Sequence, residues 1–275
     1  MADKTLYYPN AHEAGYTFCR LENFSYITHL HQGMECVYVL NGNLQVTIDG
    51  RRYLMQKGDI CVVMPYYRHA FRTRESSEIL GFSVQPEHLL IPLPIFERPY
   101  RLHTPVWRAG QYSAQVPVLF DILLQEHGKN TDLMIHAGLL NAIFGYLFSV
   151  NPPVPDEAHT LSESDRVLLY LHDHISRPIT LLEAAEALGV SQFKLSRICN
   201  QEIGIGFNAY LRFMRVTMAK RRLAFSDLSM SEIAQAAGFE SLRTFNRAFS
   251  RETGTTPRDY RLRHKNKTAM NLHAR

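Results

Sequence analysis

In the first half of the chain, the residues best equipped to do chemistry are His29, His31 and Glu35, in the run His-Leu-His-Gln-Gly-Met-Glu. If this run is extended, side-chain alternation puts all three on one face of a strand, together with Val37 and Val39. Imidazole and carboxylate groups gathered in this way can ligate a first-row divalent cation, hydrogen-bond a polar small molecule, or satisfy one another in a core. Tyr26, Tyr38, Tyr53 and Tyr66 lie nearby in sequence and suit a sugar. Arg51, Arg52, Arg68, Arg72 and Arg74 form a basic group suited to an anion such as a nucleotide or organic acid.

In the second half the chemistry is recognition. Leu181-Leu-Glu-Ala-Ala-Glu-Ala-Leu-Gly-Val190 returns 49 residues later as Met230-Ser-Glu-Ile-Ala-Gln-Ala-Ala-Gly-Phe239. At an offset of 50, Leu195, Arg197, Cys199, Glu202, Gly204 and Tyr210 recur as Phe245, Arg247, Phe249, Glu252, Gly254 and Tyr260. Each copy has an alanine, Ala185 or Ala234, four positions before a glycine, Gly189 or Gly238. A small residue lets two helices approach closely and a glycine makes the tight turn between them, so each copy predicts a helix-turn-helix. Ser191 and Ser241 are the expected N-caps of the second helices, the ones that such units insert in the major groove. Between the copies, Phe207 to Phe225 predicts one long helix carrying Arg212, Arg215, Lys220, Arg221 and Arg222. A rigid joint matters because two recognition helices reach one face of DNA only when about one helical turn, roughly 34 Å, separates them.

These features need two domains, which 275 residues can supply. Residues 1–159 hold 12 Lys and Arg against 15 Asp and Glu, whereas residues 160–275 hold 18 against 11, so the positive charge sits with the repeat. Four cysteines without a CxxC pair point to neither a zinc finger nor a disulfide framework, which fits a cytoplasmic protein. The start lacks an apolar leader, and the longest apolar run, residues 139–150, is too short to span a bilayer, so no membrane association is expected. From Tyr16 to Val84, β-branched and aromatic runs alternate with turn dipeptides, predicting an antiparallel β-barrel in which Asp49-Gly50 forms a type I′ hairpin. Apolar stripes then predict two amphipathic helices, one on Val116, Leu119, Phe120, Leu123 and Leu124, the other from His136 to Phe148. They exceed what covering one barrel face requires, so the front half is also expected to form a homodimer. The expected plan is a sensing and dimerising domain at 1–150, a proline-stiffened linker at 151–162, an all-α domain with two helix-turn-helix units joined by a long helix at 163–265, and a tail at 266–275.

Residues 165–262 resemble the C-terminal domain of the AraC/XylS family of bacterial transcription regulators. The resemblance rests on Leu181-xxx-Ala185-xxx-Gly189-x-Ser191, Arg215-xxx-Ala219-xx-Arg222-Leu223, Ile233-Ala234-xxx-Gly238-Phe239 and Phe245-xxx-Phe249-xxxx-Gly254-xx-Pro257-xx-Tyr260-Arg261. Cys199-Asn200 departs from it, the family more often showing Phe and a basic residue there. The resemblance implies a DNA-binding regulator, an activator by family habit, with double-stranded promoter DNA, a small-molecule effector and RNA polymerase as partners. With helix geometry, it implies outward faces of Phe193, Ser196 and Arg197 in the first unit and Leu242, Arg243, Asn246 and Arg247 in the second, which would read bases. Lys194, Gln201 and Arg251 would contact phosphates. In the front half, His29-x-His31-xxx-Glu35-xxxxxx-Gly42 resembles the first cupin motif. Gly58-Asp59, Pro65 and His69 resemble a second motif shifted by one residue. This cupin-like barrel implies an effector pocket of His29, His31, Glu35, Tyr38 and His69, with a sugar as the effector class that the family implies. Any metal would use His29, His31, Glu35 and His69, but the displaced His69 predicts a metal-free pocket. The alternatives are a metal-dependent cupin enzyme, such as a dioxygenase or isomerase, and a regulator whose barrel only dimerises. Catalysis gives no reason for a duplicated basic helix-turn-helix.

Overall fold

The computed structural model describes residues 6–7, 16–84, 98–126 and 133–263. The chain divides into two compact units, Met1–Thr160 and Leu161–Arg275. The expected tail at 266–275 lies outside the described residues.

The first unit is built on antiparallel strands: β1 (Leu6–Tyr7), β2 (Tyr16–Glu22), β3 (Tyr26–His29), β4 (Met34–Ile48), β5 (Arg51–Gln56), β6 (Ile60–Val63), β7 (His69–Arg72), β8 (Ser77–Val84), β9 (Tyr100–Arg101), β10 (Val106–Trp107) and β11 (Val154–Pro155). The long strand β4 serves two layers, pairing with β8 and β6 along its first half and with β5 and β7 along its second. Alternation sorts its side chains. Val37, Val39, Leu44, Val46 and Ile48 join Met55, Cys61, Val63 and Phe71 in one buried cluster. Met34 and Cys36 join Ile60, Val62, Leu80 and Phe82 in a second, which α1 (Gln115–Glu126) and α2 (Leu133–Val150) cover with Val116, Phe120, Leu123, Ile143, Phe144 and Leu147. Burying each such side chain is worth about 1.5–3 kcal/mol, which is enough to fix the helices on that face. The β4–β5 turn has both central residues left-handed, Asp49 at φ 44° and Gly50 at φ 78°, as the type I′ hairpin requires.

The proline-rich segment differs from its expected role as a linker over 151–162. Residues up to Thr160 belong to the first unit. Val154 and Pro155 pair with Arg101 and Tyr100, and the Asn151 side chain donates to the Thr104 carbonyl (2.7 Å) while accepting from the His103 amide (3.1 Å). Proline disfavours helix but leaves a carbonyl free to accept, so the run serves as a short edge strand.

The second unit comprises α3 (Glu163–His174), α4 (Leu181–Ala187), α5 (Gln192–Arg197), a π-helical turn at Ile198–Ile203, α6 (Phe207–Phe225), α7 (Met230–Ala236) and α8 (Leu242–Thr253). Capping boxes start α3, α4 and α7 through Ser162–Asp165, Thr180–Glu183 and Ser229–Glu232. Ser191 and Ser241 cap α5 and α8 by accepting from the amides of Lys194 and Thr244, both at 3.2 Å. The long helix α6 is locked to its neighbours by cations. Arg215 donates to the Ile175 (3.1 Å) and Arg177 (2.7 Å) carbonyls at the end of α3, and Arg212 pairs with Glu252 of α8 at 2.5 Å. No helix among the described residues is long and apolar enough to cross a membrane.

Candidate nucleic-acid interface and effector pocket

Both helix-turn-helix units turn their duplicated residues the same way. In α5 and the π-turn, Leu195, Ile198 and Cys199 are buried. In α8, Phe245, Ala248 and Phe249 are buried against Phe239, Ile233 and Tyr260. The opposite faces are therefore presented to solvent. Phe193 is 81% exposed and Leu242 is 42% exposed, which is unusual for large apolar side chains unless a partner covers them. Arg197, Arg243, Asn246, Arg247 and Arg251 are exposed, as is Gln201 in the π-turn. Ser196 is half-buried and accepts from the Asn200 amide at 3.3 Å, a contact that occupies part of its hydrogen-bonding capacity. Lys194 is paired with Glu163 at 2.5 Å, so it reaches a phosphate only by leaving that partner. The Lys194 hydrogen bond holds the Glu163 carboxyl below the usual range.

In the first unit, His29, His31, Glu35 and His69 converge, and one ligand atom from each lies within 4.8 Å of the others. They do not share one strand face, as the sequence predicts for the first three. His29 ends β3, His31 lies in the turn that follows, Glu35 is on β4 and His69 opens β7. His69 joins them through strand register, because it pairs with His29 across β3–β7, and their ring centroids lie 3.9 Å apart with the planes tilted by 52°. Its displacement along the sequence is therefore no obstacle. Tyr38 is not among them. It sits between Val37 and Val39, so the alternation that turns the valines inward turns Tyr38 outward, where it stacks on Phe120 of α1 at 4.7 Å and 10°. The expectation that Tyr38 lines the barrel pocket is corrected by the same period-two rule.

The Nδ1 atoms of His29, His31 and His69 lie 3.0, 2.9 and 2.9 Å from the carbonyls of Ile27, Gly33 and Tyr67. A carbonyl only accepts, so each Nδ1 carries a hydrogen and each neutral ring keeps its lone pair on Nε2. Those Nε2 atoms face the Glu35 carboxylate at 3.9 Å (His29), 3.2 Å (His31) and 3.3 Å (His69). Lone pairs facing a carboxylate repel unless a proton or a cation sits among them. Burial, aided by His69, pushes His29 down to about 3, so that ring stays neutral. Burial also pushes His31 down and Glu35 up, but the Glu35 carboxylate more than offsets this for His31, and the rings of His29, His31 and His69 together more than offset it for Glu35. His31 is held above its ordinary value and Glu35 well below its own. Three fixed imidazoles and one carboxylate fit a first-row divalent cation.

The first unit also holds a cavity of about 460 Å³, which none of His29, His31, Glu35, Tyr38 or His69 lines; strand register alone connects it to the cluster. Ile48 and Val63, which line it, are the cross-strand partners of His69 and Glu35. Tyr53, Tyr67 and Arg51 contribute polar groups, as do Arg101 and, from the segment expected to be a linker, Asp156 and His159. Arg101 and His159 carried no local signal, since only the pairing of β9 with β11 brings them to the barrel.

Comparison with known proteins agrees with this geometry. Residues 184–263 match the family model "Helix-turn-helix domain", and residues 22–84 match "Cupin domain". The chain is 25% identical to the HTH-type transcriptional activator RhaR of Klebsiella pneumoniae subsp. pneumoniae, over 94% of this chain and 96% of that protein. It is 28% identical to the RhaR of Cronobacter sakazakii, over 85% of this chain and 86% of that one. Unsaturated fatty acid bound wild-type ToxT from Vibrio cholerae strain SCE256 superposes with a TM-score of 0.51 at 12% identity, covering 90% of this chain and 94% of that one. At that identity the likeness is one of fold: a cupin-like sheet domain followed by a helical one.

Proposed function

We propose that this chain is a regulator of the AraC/XylS family, which its helix-turn-helix and cupin matches and its RhaR relatives support, and that it is a sequence-specific DNA-binding activator controlled by a small polar effector bound in its barrel. The observation that carries the proposal is the pair of capped recognition helices. Each buries one face in a core and offers the other, with Phe193 and Arg197 in one and Leu242, Arg243, Asn246 and Arg247 in the other, to a partner. Arginine can pair with guanine O6 and N7, asparagine with adenine N6 and N7, and the apolar residues can meet thymine methyls. The activating sense follows the relatives, which are transcriptional activators. A sugar is the first effector class, supported by family habit and by Tyr53 and Tyr67 in the cavity wall. The outer faces of α1 and α2 leave Val118, Ile122, Met134, Ile135 and Tyr146 exposed, which supports a homodimer formed through these helices.

A second reading concerns the histidine cluster. Its three rings, each anchored through Nδ1 and turning Nε2 toward one carboxylate, offer a divalent cation a fitting ligand set, which supports a metal-bound pocket as the second reading. A cation there would offer a Lewis-acidic contact to an effector oxygen, and the chain's own residues would hold its position.

Genomic footprinting followed by titration on the recovered site and on a scrambled duplex, across a salt series, tests the main reading. The expected result is a preference for the recovered site of at least about 10³-fold. Equal binding to both duplexes would refute sequence-specific regulation.

A further inference from the structure

The cavity of the first unit has a wall that the cupin sheet does not supply. The segment Asn151–Thr160 crosses it as a strap. Val154 and Pro155 add a short strand to β9, the Asp156 amide donates to the Pro99 carbonyl at 3.1 Å, and Asp156 accepts from the Tyr67 hydroxyl at 2.5 Å. His159 stacks on the Tyr67 ring at 4.4 Å and 24°, and its Nε2 lies 3.2 Å from the Tyr66 carbonyl. The next residue, Leu161, begins the helix-turn-helix unit. The strap is thus both a wall of the cavity and the covalent lead into the DNA-binding half.

Charge selects the occupant. Two acids are on the rim, and both are engaged by the protein itself: Asp156 by Tyr67, and Asp49 by the Arg68 amide at 3.1 Å, with His159 at 3.6 Å. Two arginines also line the cavity, Arg51 from β5 and Arg101 from β9. Among the described residues neither guanidinium has a hydrogen bond or ion pair, and both are exposed. Satisfied carboxylates and unspent guanidinium forks leave a net demand for acceptors, and guanidinium geometry matches phosphate or carboxylate oxygens in pairs. The aromatic rings of Tyr53, Tyr67 and His159 offer flat surfaces for the rest of a small molecule.

We infer that this cavity binds a small dianion, a phosphorylated sugar or a dicarboxylate, between Arg51 and Arg101, and that its occupancy holds the strap 151–160 against the barrel and so reports to the DNA-binding unit. This rests on the effector-responsive reading above and narrows its effector from small polar molecules in general to dianions. Arg101 links ligand to strap, since the residue that would grip the anion is the one whose backbone pairs with Val154.

The test uses the full chain and four probes at millimolar concentration: inorganic phosphate, glucose 6-phosphate, succinate and glucose. Thermal stability and amide hydrogen exchange in residues 151–160 are read together. At least one dianion is expected to raise the melting temperature and slow exchange across the strap severalfold, with glucose doing neither. Arg51→Ala and Arg101→Ala should each weaken that dianion about ten- to a hundredfold, the loss of charge-assisted hydrogen bonds. Arg74→Ala, whose guanidinium rests on Gln45 away from the cavity, should not. The outcome with phosphate or glucose 6-phosphate against succinate separates a phosphorylated ligand from a dicarboxylate. If no dianion stabilises the chain, if glucose does so equally, or if both arginine variants keep the full response, the inference is overturned. A dianion that stabilises the chain without slowing strap exchange would overturn the reporting role. Because neither readout involves DNA, a chain that failed to bind promoter DNA would refute the regulator reading and leave this result standing.

Discussion

Gly189 and Gly238 occupy the same position in the two repeats, and the structure assigns them different costs of substitution. Both are left-handed, at φ 66° and 79°, so an alanine at either pays the left-handed penalty, roughly 1–2 kcal/mol. At Gly189 an added Cβ would meet no atom within 4 Å, so the cost ends there. At Gly238 it would lie 2.5 Å from the Ile175 carbonyl oxygen and 3.0 Å from Arg215 Nε, the donor–acceptor pair that ties α6 to the end of α3. Backbone cannot step aside as a flexible side chain can, so Gly238→Ala adds an overpacking cost of about 1–3 kcal/mol and strains the Arg215 hydrogen bond. The totals are about 1–2 kcal/mol for Gly189→Ala and about 2–5 kcal/mol for Gly238→Ala. In a unit of this size each kcal/mol moves the melting temperature by roughly 4 °C. Calorimetry of the full chain should show the transition of the DNA-binding unit falling by about 4–8 °C in the first variant and about 8–20 °C in the second. If Gly238→Ala is no worse than Gly189→Ala, the packing of the second turn against α3 and Arg215 is wrong.

Arg197→Ala and Arg247→Ala should each cost about 1–3 kcal/mol on the cognate duplex and relax preference at one base pair, with scrambled DNA nearly unaffected. Equal losses on both duplexes would move specificity to Arg243, Asn246 and DNA shape. Lys194→Ala should lower the salt dependence of binding by less than the one log–log unit of a full phosphate contact, because Lys194 must first leave Glu163. A drop of a full unit would mean the ion pair does not compete. Elemental analysis after purification with manganese or zinc should find stoichiometric metal in the parent chain and little in His31→Ala, and a metal-free parent would support a hydrogen-bonded pocket. Sedimentation at tens of micromolar should find the full chain dimeric, with Ile122→Glu or Met134→Glu shifting it toward monomer, and a monomeric parent would discount the exposed α1 and α2 faces.

What could be read from the sequence was what local rules determine. Caps, turn glycines and buried faces repeat within each helix-turn-helix, and every signal for them lies within a dozen residues. Ser191 and Ser241 are accordingly found capping, and Arg197 and Arg247 outward. The histidine cluster was legible in membership but not in cause: His29 and Glu35 lie on different strands, and His69 arrives by register with His29 rather than by spacing. Tyr38 was misplaced although alternation alone forbade it. The strap could not be read at all, because its two-residue pairing with β9 joins segments about fifty positions apart, and a proline run carries no mark of a distant partner.

The same distinction governs the charge of the second half. An excess of cations near the repeat suggests a polyanion partner, yet the structure commits several of those cations internally. Arg215 caps α3, Arg212 pairs with Glu252, Lys220 lies over the Tyr260 ring at 5.8 Å, and Arg261 donates to the Leu228 carbonyl. These groups tie α6 to the end of α3 and to α8, and Arg261 to the residues before α7, and are not the ones set out toward a ligand. The cations left on the recognition faces are Arg197, Arg243, Arg247 and Arg251, interleaved with Phe193, Leu242 and Asn246. A surface whose arginines alternate with apolar side chains and an amide has the composition of one that reads base edges. One that only neutralises phosphates would need the arginines alone.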